Sequence, residues 1–65
     1  MKKTIVTEFK DLDAGDNGLV IIRYDNDSVV IGLSLESNGD MQVVLKRADA
    51  QNVIKALEKA VHSSR

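Results

Sequence analysis

The sequence predicts an α+β domain: a four-stranded antiparallel β-meander followed by one C-terminal α-helix packed on one face. Three observations lead there. Ser28-Val29-Val30-Ile31-Gly32-Leu33-Ser34-Leu35-Glu36 alternates apolar with small or polar residues at period two, the mark of a strand with one face buried. Turn chemistry at residues 11–18, 25–28 and 37–39 cuts the first two thirds of the chain into four such runs. From about Ala48 the period changes to 3.6.

Residues 3–10 are β-branched and aromatic and read as a first strand, with Ile5, Thr7 and Phe9 on one face and Val6 and Glu8 on the other. The acidic, glycine-containing stretch Asp11–Gly18 reads as a loop. Leu19-Val20-Ile21-Ile22-Arg23-Tyr24 is apolar on both faces through four residues, which predicts a strand inside the sheet or under cover on both sides. Asp25-Asn26-Asp27-Ser28 supplies short Asx side chains that tolerate positive φ and bond their own backbone. A hairpin centred on Asn26-Asp27 pairs Tyr24 with Val29, Ile22 with Ile31 and Val20 with Leu33. The third strand follows as the centre of the sheet. A two-residue Asn38-Gly39 turn would set Leu35 beside Gln42, joining a buried set to a polar one. The alternation instead predicts a three-residue loop Ser37-Asn38-Gly39 with Gly39 left-handed, pairing Leu35 with Met41, Leu33 with Val43 and Ile31 with Leu45.

In the last segment Ala50, Val53, Ile54, Leu57, Ala60 and Val61 form one helical stripe, with Gln51, Asn52, Lys55, Glu58 and Lys59 opposite. Asp49 suits the positive end of the helix, and Lys59, His62 and Arg65 the negative end, so the helix is expected over about 48–62. It is expected to seal a face holding Ile5, Phe9, Val20, Ile22, Tyr24, Val29, Ile31, Leu33, Leu35, Met41, Val43 and Leu45. The opposite face then carries Val6, Leu19, Ile21, Val30 and Val44 around Gly32 and Ser34, fringed by Glu8, Arg23, Gln42 and Lys46. Apolar side chains clustered about a glycine and rimmed by charge resemble a contact patch more than a solvated sheet face, although β-branched residues also occur on exposed sheet faces for propensity alone.

Sixty-five residues make one domain, 1–65, with a marginal core: a chain of this length hides only about 60% of the surface its unfolded form exposes. There is no cysteine, so disulfides and thiolate metal sites are excluded and a second subunit becomes the source of extra burial. Nine Lys and Arg against ten Asp and Glu leave a net charge of −1, which argues against a duplex-DNA binder. Met1-Lys2-Lys3 opens like a signal peptide, but Thr7, Glu8 and Lys10 interrupt it before an apolar core can form, and no run approaches membrane-spanning length; a cytoplasmic protein is the expectation.

Catalytic chemistry has little to stand on. The single histidine, His62, falls on the last helical turn, where a solvated residue favourable to the helix dipole is expected rather than the base of a nucleophilic serine or threonine. The loop Asp11-x-Asp13-x-Gly15-Asp16-Asn17-Gly18 has oxygen donors for calcium, but Gly15, Asp16 and Ile22 stand where an EF-hand needs an oxygen ligand, a glycine and a glutamate. No phosphate-binding glycine loop is present, and neither a cofactor nor a metal is implied. The expectation is therefore a non-catalytic protein-binding or regulatory module, not an enzyme. It would form a homodimer through the uncovered sheet face, using Val6, Leu19, Ile21, Val30, Gly32 and Val44. The alternative is a single-stranded nucleic-acid binder using the sheet or a basic edge of Arg23, Lys46, Arg47 and Lys55. The two aromatic residues, Phe9 and Tyr24, are both assigned to the core rather than to a base-stacking platform.

Overall fold

A computed structural model describes residues 3–37 and 39–63; Met1, Lys2, Asn38 and Arg65, named above, lie outside them. The chain forms β1 (Lys3–Lys10), β2 (Asn17–Tyr24), β3 (Ser28–Leu35), β4 (Gly39–Lys46) and α1 (Arg47–Ser63). The strands make one antiparallel sheet in the order β1-β2-β3-β4, the ββββα meander that the alternation and turns predict. The apolar strand β2 and the alternating strand β3 are both interior.

Two loops close on themselves. In the first, Asp11 N–H donates to the Asp16 carbonyl at 2.9 Å, Gly15 N–H to the Asp11 carbonyl at 2.7 Å, and Asp13 N–H to Asp11 Oδ1 at 3.1 Å. This loop is shorter than expected, because Asn17 and Gly18 belong to β2 and pair with Lys10 and Phe9. Asn17 is drawn into the ladder by Glu36, which donates its N–H to the Asn17 carbonyl and accepts the Asn17 N–H on Oε1, both at 3.3 Å. Between β2 and β3 the expected pairs Tyr24–Val29, Ile22–Ile31 and Val20–Leu33 all form. The turn is held by a side chain rather than by positive φ: Asp25 Oδ1 accepts Asp27 N–H at 2.9 Å and Ser28 N–H at 3.0 Å, and no described residue other than glycine has positive φ.

The third hairpin corrects the expected register. Leu33 pairs with Met41, Ile31 with Val43 and Val29 with Leu45, one pair nearer the turn than the sequence pattern indicated. Leu35 pairs with Gly39, which is left-handed at φ 79°, so β3 ends at Leu35 and β4 starts at Gly39. A shift of two residues leaves every side chain on its own face, so alternation sets the parity of the pairing and the loop sets its position.

α1 runs straight from β4 with no intervening turn, one residue beyond the expected helix at each end. Ala50 and Ile54 stand over Ile22, Tyr24 and Val29 and, with Arg47 and Gln51, enclose a cleft of about 290 Å³, which fixes the face on which the helix sits. The helix does not seal that face. Its Cα atoms approach β4 and β3 but not β1 or β2, and the stripe emerges along its length: Val53 is 38% exposed, Ile54 54%, Leu57 61% and Val61 70%. The helix residues that line the cleft against the sheet all lie in its first two turns, and Ile5, Leu33, Met41 and Val43, expected to be covered, are exposed.

Candidate interaction surface

Pairing sorts the sheet into rows that cross all four strands. On the helix-side face the first row is Lys3–Tyr24–Val29–Leu45, the end over which α1 starts. The second is Ile5–Ile22–Ile31–Val43 and the third Thr7–Val20–Leu33–Met41. Beyond them Phe9, Gly18, Leu35 and Gly39 make a fourth. There Phe9 turns its ring onto Gly18: an added Cβ at 18 would lie 2.5 Å from the ring and 2.8 Å from Leu35. Gly18 is the single buried residue among those described, and no described hydrophobic side chain reaches burial. The sheet is thus one layer with half of a second, where a stable domain needs two.

The opposite, bare face carries the rows Thr4–Arg23–Val30–Val44, Val6–Ile21–Gly32–Gln42 and Glu8–Leu19–Ser34–Asp40. The structure thus brings Val6, Leu19, Ile21, Val30, Gly32 and Val44 onto one surface. Val6 and Val44 are exposed there, while Leu19, Ile21 and Val30 are half-buried between neighbouring strands. A Cβ at Gly32 would meet the Ile21 carbonyl oxygen at 3.5 Å, ordinary contact, and its φ is not positive, so the chain's own packing does not demand glycine there.

The basic residues do not form a track. Arg23 and Lys46 share one end of the bare face on different strands, Arg47 opens α1, and Lys55 lies about 12 Å further along the helix at 1.5 Å per residue. Phe9 and Tyr24 are half-buried on the other face. His62 is exposed in the last turn of α1. Asp16 accepts the Ser37 hydroxyl, tying the first loop to the third hairpin. Among the described residues no three His, Asp or Glu side chains are grouped to hold a metal ion, and no helix is long and apolar enough to cross a membrane. The larger concavity, about 580 Å³ between Glu8, Lys10, Asn17, Ser34 and Glu36, is open at the end of the sheet remote from α1.

The residues that sequence reasoning assigned wholly to a core, namely Ile5, Leu33, Met41 and Val43 with the outer stripe Leu57 and Val61, are the largest exposed apolar set. Alternation and helical period mark which residues are apolar-facing, not whether one chain supplies both layers. The available signal was length, since a chain of 65 residues lacks the mass to cover a four-stranded face. Comparison with protein-family models, with curated proteins and with solved structures gives no match for this chain.

Proposed function

We propose that this chain is a small non-catalytic protein-binding or regulatory module that works as a homodimer. The observation that supports this reading is the absence of any buried hydrophobic side chain among the described residues. The surface area agrees. The chain exposes 5437 Å², against roughly 4,100 Å² for a packed monomer of its mass. Its radius of gyration is 13.1 Å, against about 11 Å for a compact domain of this length. An excess on the order of 1,000 Å² per chain is more than the roughly 800 Å² that each partner gives to a standard interface. Such an excess, with eleven large hydrophobic side chains exposed among the described residues, favours cover by another chain.

A homodimer needs no second gene product and makes the same deficit good twice. In that arrangement the remaining face of each protomer stays available to a protein partner, and the loops and the polar side of α1 carry no constraint from the core. The reading is tested by urea unfolding at two protein concentrations a hundredfold apart. A dimer whose monomer does not stand alone has a midpoint that rises with concentration; an unchanged midpoint contradicts the reading.

A further inference from the structure

We infer that the second copy seats on the helix-side face, with the outer half of each α1 laid across the partner's second and third sheet rows. The inference rests on the homodimer proposed above and names its surface. Two incomplete layers lie side by side in one chain. Leu57 and Val61 stand 61% and 70% exposed on the helix, and Ile5 and Val43 at the two ends of the second row, with Leu33 and Met41 of the third, are exposed on the sheet. A two-fold axis supplies each with the other, since in an isologous contact the same patch is used by both subunits.

The dimensions match. The outer half of α1, residues 55–63, is about 14 Å at 1.5 Å per residue, and a row across four strands spans about 14 Å at 4.8 Å between strands. Its own chain meets the helix at Ala50 and Ile54, over Tyr24 and Val29 of the first row and Ile22 of the second, and leaves Leu57 and Val61 61% and 70% exposed toward a partner. The bare face is the poorer candidate for the same occupant, because only Val6 and Val44 are exposed large apolar side chains there. Lys55, Glu58 and Lys59 lie opposite the stripe and stay in water when the stripe is covered.

The test is an isotope-filtered NOE experiment on a dimer mixed from methyl-labelled and unlabelled protomers. Contacts are expected between Leu57 or Val61 of one protomer and Ile5, Leu33 or Met41 of the other. Any set of intermolecular contacts that lacks these overturns the inference while leaving the homodimer intact; contacts confined to Val6, Ile21, Val30 and Val44 would place the interface on the bare face. A monomer at every concentration overturns both the inference and the reading beneath it. As a second arm, Val61→Lys is expected to weaken self-association about tenfold or more with helix content retained, because the side chain is 70% exposed in its own chain. Val44→Lys is expected to leave association unchanged. Equal effects of the two variants count against the helix-side face.

Discussion

A Cβ at position 18 would lie 2.5 Å from the Phe9 ring and 2.8 Å from Leu35, so Gly18→Ala forces the ring off the strand it covers. Overpacking of this kind costs about 1–3 kcal/mol, read as a lower urea midpoint at fixed protein concentration. Gly32 is the contrasting case. The space at its Cβ is ordinary, and alanine there removes conformational freedom from the unfolded chain, so Gly32→Ala is expected to hold or raise stability by about 0.5 kcal/mol. Loss of stability at 32 with weakened association would show instead that another surface packs closely on the bare face. The difference between the two glycines was hidden in the sequence. Gly18 stands between Asn17 and Leu19 and Gly32 between Ile31 and Leu33, and only the pairing of Gly18 with Phe9 and Leu35 decides that one is filled and the other open.

At the scale of elements, the hairpins carry separate and separable constraints. Asp25 holds the second by accepting two backbone N–H groups and the Ser28 hydroxyl. Asp25→Ala is therefore expected to cost about 1 kcal/mol, the worth of a net hydrogen bond, measured by thermal or urea unfolding. Gly39 is left-handed at φ 79°, so Gly39→Ala should cost about 1–2 kcal/mol, with Gly39→Asn milder. The existence and order of all five elements could be read from period and turn residues, and the register of the second hairpin followed from matching its apolar sets. The third hairpin could be read only to its parity, because two registers that differ by two residues present identical faces. The bounds of β2 also escaped the pattern. Asn17 and Gly18 look like loop residues, and only the Glu36 contacts and the Phe9 ring make them strand.

For the whole molecule, the governing quantity is how much apolar surface one chain of 65 residues can cover. The sequence marked the helix stripe and one sheet face as partners, and the structure joins them at one end only. Length alone forecast a marginal core, but where it opens depends on the path of α1 after β4, which no local pattern encodes. Electrostatics takes a minor part at this scale. With Arg23, Lys46, Arg47 and Lys55 scattered and no free aromatic platform, a labelled single-stranded oligonucleotide is expected to show no anisotropy change even at low salt, where phosphate contacts are strongest. Binding under those conditions would restore the nucleic-acid alternative.

The most direct measurement is the solution mass by multi-angle light scattering over a wide range of concentration. A species of twice the chain mass of 7.1 kDa, persisting on dilution into the micromolar range, is the expected result. A monomer at every concentration, folded and with an unfolding midpoint independent of concentration, would contradict the claim that this chain completes its second layer with another copy of itself.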